Sequence, residues 1–162
     1  SDHEPRGHGT GSMETPMEAT TRAAQNEDLV RRFGQAVVNE GDYDRIDEFV
    51  AEDVRDHTPL GQREGRDVMV ETTRELRTAF PDFEVTLEEV VGDGDTVAVR
   101  MRQTGTHDGP FMGIEPTGAS FEIEAMAFLR VGDGKIVERR TQPDVLALLG
   151  QLGITKLPEK AS

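Results

Sequence analysis

The sequence predicts an α+β domain in which a curved antiparallel sheet packs on three to four helices and forms a cone with an internal pocket. The first observation is that apolar residues recur at helical spacing up to residue 80. The second is a switch to alternation beyond residue 83, with the turns "GDGD" (92–95) and "GDGK" (132–135) between the alternating segments. Helices followed by antiparallel strands are typical of the α+β class.

The first half of the domain contains the predicted helices. Asn26 is a candidate N-cap for a helix over about 27–40, and Gly41 follows as a terminating glycine. A later helix over about 65–79 ends before Pro81, because the residue before a proline disfavours helical backbone. A short helix is expected between these two, with one apolar side formed by Tyr43, Ile46, Phe49 and Val50, and a short strand is expected to follow it.

The second half carries four predicted strands and a last helix. Period-two alternation places the strands at 83–91, 96–106, 121–131 and 135–142. Asp144 is then expected to cap the helix "VLALLGQLG". Between the second and third strands lies "GTHDGPFMGIEPTG", where the glycines and prolines predict a shaped loop at a strand end.

The periodicity also suggests segment boundaries. Residues 1–12 have no apolar periodicity and resemble an added leader with a cloning scar, or else a polar tail. Residues 13–25 are polar and are expected to be flexible. Residues 26–153 are expected to form the domain, and 154–162 a C-terminal tail.

Composition argues against several classes of function. The net charge is −14, and only three of the 18 basic residues are lysine, so nucleic acid is not an expected partner. No apolar run approaches the roughly 20 residues of a membrane span. The absence of cysteine excludes disulfides and, with two histidines in the domain, argues against a structural zinc site. Abundant acidic residues with so few lysines predict a salt-adapted, cytoplasmic protein.

Several stretches resemble the SnoaL-like polyketide cyclase and ester cyclase group within the nuclear-transport-factor-2-like fold. The resemblance covers roughly residues 26–153. It implies a cone-shaped α+β barrel that pairs through its sheet as a homodimer. It also implies a small-molecule substrate and no metal or cofactor. The matching stretches are "VVNEGDYDRIDEFVAEDVRDHTP", "LRTAFPDFEV", "GTHDGPFMGIEPTG", "GDGKIVE" and "DVLALLGQLG".

His107 is the first candidate catalytic residue. Its position has the same parity as Val97, Val99 and Met101, so a regular strand would point it to the apolar interior. A histidine near neutrality can donate, accept or relay a proton. The alternative is a hydrogen-bonded histidine that stabilises the loop.

His57 is the second candidate, and we expect it to contact substrate. It lies just before Thr58-Pro59, and in the group that the chain resembles the matching histidine lines the cavity. The alternative is a polar residue that satisfies a junction between helix and loop. Because His57 and His107 both fall on motif positions of that group, we expect them to share one site.

The catalytic carboxylate is the least defined part of the expected site. The resemblance implies an aspartate on a pocket-facing strand, acting as general base on a carbon next to a carbonyl. Such a base needs a desolvated position that raises its pKa toward working pH. On the strand 121–131 the odd positions are apolar and carry no carboxylate, so Glu124 on the other face is the candidate. The alternative is that Glu122 and Glu124 are solvated or lie at a dimer edge.

Other expected substrate contacts come from four segments. Glu138 keeps a family position. Arg140 stands where the family often has tryptophan, and it could pair with Glu138 or grip an anionic or carbonyl group of the substrate. Asp144 also matches the group, but we expect it to act as an N-cap. The candidate pocket walls, which could equally be core, are Leu60, Phe80, Phe111 and Met112.

The leading hypothesis is a cyclase or isomerase that acts by cofactor-free acid–base chemistry on a mostly apolar carbonyl or ester. One alternative is a noncatalytic small-ligand-binding protein of the same fold. Another is a small epoxide hydrolase of the limonene-epoxide type. That enzyme needs an Asp–Arg–Asp arrangement around a water, for which Arg140 with Asp144 is a poor substitute.

Overall fold

The computed structural model describes residues 13–156 and confirms the α+β class. The leader expected at 1–12 and the end of the predicted tail, 157–162, lie outside the described residues. The helical elements are α1 (Pro16–Phe33), a π-helical turn (Gly34–Asn39), a 3₁₀ helix (Tyr43–Glu48), α2 (Arg66–Ala79) and α3 (Val145–Gln151). The strands are β1 (Val50–Thr58), β2 (Gly61–Glu64), β3 (Glu84–Asp93), β4 (Thr96–Thr106), β5 (Ser120–Gly132) and β6 (Lys135–Pro143).

The six strands form one sheet in the order β2-β1-β6-β5-β4-β3. The hairpins β3–β4 and β5–β6 and the pairing of β4 with β5 are antiparallel, as the sequence predicts. The pairing of β1 with β6 is parallel, so the curved sheet that the sequence predicts is mixed rather than antiparallel throughout. The physical reason is that β6 has a free edge after the two hairpins, and a strand from the first half of the chain fills it. Val50, predicted to be helical, begins that strand.

The first helix begins at Pro16, well before the predicted N-cap Asn26, so most of the segment 13–25 is helical. Thr15 is the true N-cap. Its hydroxyl accepts from the Glu18 N–H at 3.1 Å, and the Glu18 carboxylate accepts from the Thr15 N–H at 3.4 Å. This capping box, with proline at the first helical position, starts a helix whose first turns are exposed. Asn26 is instead buried on α1.

The sheet has an inner face that is covered by the helices and an outer face. Along β5 the odd positions 121–131 are buried and the even positions are exposed, which confirms the predicted inward apolar face. The inner face packs against the helices in two clusters. One lies beneath α1 and contains Phe33, Phe49 and Met69, and the other lies beneath α3 and contains Phe80, Phe83 and Phe121. Within residues 13–156 no helix is both long enough and apolar enough to cross a membrane.

Candidate active site

His107 directly follows the last residue of β4 and is fully buried on the inner side, with 0% of the residue exposed. Its N–H donates to the Ala119 carbonyl at 2.9 Å, and its carbonyl accepts from the Gly118 N–H at 2.9 Å. These two bonds bring the ends of the loop 107–118 together before the chain enters β5. The inward orientation predicted from strand parity is therefore observed.

Phe80 and Phe111 flank the buried imidazole, and together with Phe121, which packs on Phe80, they form with His107 what we call the aromatic cluster. The centroid of the Phe80 ring lies 5.5 Å from that of His107, 5.1 Å from Phe111 and 5.0 Å from Phe121. The structure thus brings together His107 and two of the predicted wall residues. Met112, the next residue of the loop, is 41% exposed at a turn where its φ is 51°.

Two glycines allow the backbone and the aromatic rings to approach one another. A Cβ at Gly109 would lie 2.1 Å from the Thr78 carbonyl oxygen, and a Cβ at Gly105 would lie 2.9 Å from the Phe121 ring. Neither glycine has a positive φ, so each is required for space rather than for a left-handed turn. The N–H of Gly109 also donates to the Ala79 carbonyl at 3.0 Å, which attaches the loop to the end of α2.

The two ring nitrogens of His107 have different surroundings. Nδ1 accepts from the backbone N–H of Thr117 at 3.2 Å and lies 3.1 Å from the Thr117 hydroxyl. Nε2 is buried and has no hydrogen-bond partner. A buried polar atom without a partner is costly to a protein and points to a ligand or a water as the missing partner. Thr117 was not among the candidates, although the "PTG" motif that contains it was part of the resemblance.

Asp82 fastens the turn before β3 to the end of β4. Its carboxylate accepts from the Thr106 N–H at 2.7 Å and from the Thr106 hydroxyl at 2.8 Å. The hydroxyl hydrogen bond from Thr106 holds the pKa of Asp82 below its ordinary value. Thr106 directly precedes His107, and Asp82 follows Phe80 by two residues. The Asp82–Thr106 hydrogen bonds therefore hold the backbone segments that carry Phe80 and His107 together. The "FPD" motif signalled Asp82, but its role became visible only in the structure.

His57 lies on the outer face of the sheet and therefore does not share a site with His107. Its Nε2 lies 3.2 Å from Oε2 of Glu138 on the neighbouring β6. Three arginine side chains approach the same carboxylate at 3.6 to 3.8 Å. Adjacent strands β1, β6 and β5 supply what we call the Glu138 cluster: Arg55, His57, Arg130, Glu138 and Arg140.

The electrostatics of the Glu138 cluster favour an ionised carboxylate. Burial acts to raise the pKa of Glu138, but the His57 hydrogen bond and the three arginine charges outweigh it and leave that pKa below its ordinary value. The predicted substrate residues His57, Glu138 and Arg140 are thus brought together, but as an ion-pair cluster outside the aromatic cluster.

Glu124 and Leu60 lie away from the aromatic cluster. The Glu124 side chain is 52% exposed on the outer face and lies 3.6 Å from Arg100. It points away from the face that carries His107, so Glu124 and His107 do not form an acid–base pair in this arrangement. Leu60 is exposed in the turn between β1 and β2. Asp144 caps α3 as expected, because its side chain accepts from the Ala147 N–H at 3.0 Å.

The inner face does carry one carboxylate that sequence reasoning missed. Asp56 on β1 is buried and forms a bidentate ion pair with Arg139 on β6. Nε of Arg139 donates to Oδ1 of Asp56 at 2.9 Å, and Nη2 donates to Oδ2 at 2.8 Å. The Arg139 guanidinium also lies 5.9 Å from the centre of the Phe33 ring. The signal would have been the parity of Asp56 with the buried Val54, once β1 was known to be a strand. Both oxygens of Asp56 accept hydrogen bonds from Arg139, so neither is left for a substrate.

Surface clefts and metal geometry do not point to a second site. Within the described part of the chain, no group of three or more His, Asp or Glu side chains is placed to hold a metal ion. One open cleft follows the N-terminal part of α1. Another lies beside the end of α2 and is lined by Glu40, Gly41, Tyr43, Arg74, Arg77 and Thr78, none of which is a predicted site residue.

A curved mixed sheet over helices, with a buried histidine in an aromatic cluster between them, defines a small α+β protein of the nuclear-transport-factor-2-like class. The sequence model of the SnoaL-like polyketide cyclase family matches residues 28–152. The chain belongs to this family.

Characterised relatives agree with this assignment. The chain is 32% identical over 133 residues to the aklanonic acid methyl ester cyclase DauD of Streptomyces sp. (strain C5), covering 78% of this chain and 80% of that protein. It is also 32% identical over 119 residues to the nogalonic acid methyl ester cyclase of Streptomyces nogalater, covering 71% and 88%.

Solved structures show the same fold. A SnoaL-like protein from Jannaschia sp. CCS1 superposes with a TM-score of 0.77 at 27% identity, over 91% of this chain and 100% of that one. IdmH from Streptomyces antibioticus superposes with a TM-score of 0.71 at 34% identity, over 80% and 99%.

Proposed function

We propose that this protein is a cofactor-free cyclase that acts on a polyketide methyl ester or a related, mostly apolar carbonyl compound. The observation that carries the proposal is the partnerless Nε2 of His107, buried inside the aromatic cluster. A polar atom in an apolar surrounding positions one oxygen of a ligand, while the phenylalanines contact its rings. The relatives' names, aklanonic and nogalonic acid methyl ester cyclases, supply the compound class.

The proposed chemistry begins with removal of a proton from carbon next to a carbonyl and ends with intramolecular aldol closure. Negative charge develops on the carbonyl oxygen as the proton leaves. A hydrogen-bonding group that meets this oxygen in a dry site stabilises the transition state. His107 fills this hydrogen-bonding role, and in our proposal a water in the site takes the proton from carbon and returns it to the alkoxide that ring closure forms. In our proposal, substrate reaches His107 when the tip of the loop, which carries Phe111 and the exposed Met112, moves outward from Phe80.

A second function is favoured by a specific observation, which is that the hydrogen bonds of His107 include no carboxylate. Glu124 lies on the outer face, and Asp56 is held by Arg139. A protein that kept the apolar site without a base would bind the same compounds without converting them. The two functions share a ligand class and differ in turnover.

Turnover of aklanonic acid methyl ester and nogalonic acid methyl ester separates the two functions. We expect the wild-type protein to cyclise at least one of them, and His107→Ala to lose roughly 10²–10³-fold in kcat/KM. His57→Ala is the matched control and keeps activity, since His57 lies on the outer face. Unchanged turnover in His107→Ala would remove His107 from the mechanism. Binding without any turnover by the wild-type protein would favour the binding function.

The proposal includes a homodimer formed through the outer face of the sheet. Met126 and Phe128 are 50% and 58% exposed at the middle of this face. The Glu138 cluster has three arginines for one carboxylate at one side, and Glu122 and Glu124 lie toward the other. A two-fold axis between these regions would place opposite charges together and cover the apolar residues. Phe128→Glu is expected to sediment as a monomer where the wild-type protein sediments as a dimer.

Cytoplasmic location and adaptation to salt are the last parts of the proposal. They are supported by the net charge of −14 and by the absence of cysteine.

A further inference from the structure

We infer that Thr117 is a positioning residue that holds His107 as the neutral tautomer with its proton on Nε2. The inference deepens the proposed function and rests on it, because it assigns the role of the imidazole in that site. A histidine ring has two neutral forms, and the hydrogen bond made by one nitrogen decides which form the other takes. The surroundings of Nδ1 therefore decide what Nε2 can do.

Nδ1 of His107 faces a backbone N–H, which can donate a hydrogen bond but cannot accept one. The backbone N–H of Thr117 points at Nδ1 at 3.2 Å. An amide N–H only donates, so Nδ1 must present its lone pair and carry no proton. The Thr117 hydroxyl lies 3.1 Å from the same nitrogen, and its oxygen accepts from the Ala119 N–H at 3.3 Å. With that oxygen accepting, the hydroxyl hydrogen is free to point at Nδ1 as well.

The loop geometry keeps this arrangement fixed. The Gly118 N–H donates to the His107 carbonyl at 2.9 Å, and the His107 N–H donates to the Ala119 carbonyl at 2.9 Å. Thr117 lies immediately before the two residues that these bonds hold. The donor is a backbone group, so its direction is set by the fold and not by a side-chain rotamer.

The consequence is that Nε2 carries a hydrogen and lies buried without an acceptor. In this form His107 donates a hydrogen bond to the substrate's carbonyl oxygen, and it does not take the proton from carbon. A doubly protonated ring would place an Nδ1–H against the Thr117 N–H inside an apolar cluster, and two facing donors lose the hydrogen bond between them. His107 is thus the oxyanion donor, and the base is a separate group.

The tautomer can be measured without substrate, by long-range ¹H–¹⁵N correlation on ¹⁵N-labelled full chain at pH 7.5. The ring signals of His107 are assigned as those missing from His107→Gln. We expect an unprotonated Nδ1 and a protonated Nε2. A ring protonated on Nδ1, or on both nitrogens, would overturn the inference.

Substitutions at Thr117 separate its backbone donor from its hydroxyl. Thr117→Val removes the hydroxyl and keeps the N–H, so the Nε2–H form is expected to remain. Thr117→Pro also removes the N–H, and signals of the Nδ1–H form are expected to appear. Glu115→Pro is the matched proline control in the same loop, and it should leave the tautomer unchanged. A Thr117→Pro protein with the wild-type tautomer would contradict the role of Thr117. If that variant does not fold, the wild-type and Thr117→Val spectra still decide the tautomer.

The spectra fail or succeed independently of catalysis. An Nε2–H tautomer in a protein that converts neither methyl ester would count against the proposed cyclase and leave the positioning role of Thr117 intact. An Nδ1–H tautomer in an active enzyme would overturn only the positioning role. In an active enzyme, we expect Thr117→Pro to lower kcat at least tenfold and Thr117→Val to lower it less.

Discussion

At the scale of single residues, Gly109 is where the loop carrying His107 meets the end of α2. A Cβ there would lie 2.1 Å from the Thr78 carbonyl oxygen, and both groups belong to backbone that is held by hydrogen bonds. We expect Gly109→Ala to reduce the free energy of unfolding by roughly 1–3 kcal/mol, because the loop must shift outward. Urea denaturation measures the change.

Gly150→Ala is the matched control for that prediction. Gly150 lies in α3, and a Cβ at this position would have nothing within 4 Å. Alanine is favoured over glycine in a helix by up to about 1 kcal/mol, so this variant should equal or exceed the wild-type stability. Equal stability of Gly109→Ala and wild type would mean that the loop is not held against α2.

Glu138 makes a prediction about pH. Its pKa is lowered in the folded protein, so its charge stabilises the fold above its ordinary pKa, and this stabilisation is lost as pH falls through the lowered value. We expect Glu138→Gln to be less stable than wild type near neutrality. The difference should shrink as the pH drops below about 4.3, the usual value for glutamate. Glu124→Gln, which removes an exposed carboxylate near Arg100, should show a smaller difference. A difference for Glu138→Gln that does not change with pH would contradict the lowered pKa.

Only those features of the candidate site that depend on the alternation of residues within one strand could be predicted from the sequence. The inward side of His107 followed from its spacing to Val97, Val99 and Met101. The separation of the two histidines did not, since it depends on which strand lies beside β6. The contact of Thr117 with Nδ1 of His107 was not predictable either. It forms because the two ends of the loop meet, and hydrophobic periodicity does not predict contacts within an irregular loop.

At the scale of elements, α1 shows that capping residues can start a helix in a polar segment that has little apolar periodicity. The segment 13–25 has little apolar periodicity, yet Thr15, Pro16 and Glu18 start a helix there. Thr15→Ala removes the hydroxyl acceptor, which costs about 1 kcal/mol of local stability. We expect the Glu18 amide to exchange with solvent about fivefold faster, as measured by hydrogen exchange and NMR.

Thr21→Ala is the control for the cap. Its hydroxyl donates to the Met17 carbonyl within the helix and caps nothing, so exchange at Glu18 should stay the same. Because the first turns of α1 are exposed, both variants should keep the wild-type midpoint of global unfolding. Unchanged exchange in Thr15→Ala would show that Pro16 alone starts the helix.

The alternation of apolar and polar residues predicts some of the strand pairings but not all of them. Both hairpins were predicted with small errors at their ends, because glycine turns and period-two patterns are local. The parallel pairing of β1 with β6 joins residues more than 80 positions apart, such as His57 and Arg140. That pairing brings Arg55 and His57 to Glu138 and forms the Asp56–Arg139 ion pair, which is why these contacts were not expected.

At the scale of the whole molecule, the dominant feature is an excess of negative charge. The chain has 32 acidic and 18 basic residues, for a net charge of −14. Many of the arginines are occupied by ion pairs, among them Arg100 and Arg102 on the outer face and Arg139 on the inner face. The remaining carboxylates repel one another, and this repulsion destabilises the compact state.

Salt should therefore stabilise the fold. The screening length falls from about 10 Å at 0.1 M to about 3 Å at 1 M, which removes repulsion between carboxylates faster than it weakens ion pairs at contact distance. We expect the melting temperature to rise by on the order of 5 °C between 0.05 M and 2 M potassium chloride, where each kcal/mol corresponds to about 2–4 °C. Sucrose at matched osmolality is the control, because it raises stability by exclusion from the surface and screens no charge. A potassium chloride effect no larger than that of sucrose would mean that repulsion does not limit stability, and the proposed adaptation to salt would then fail.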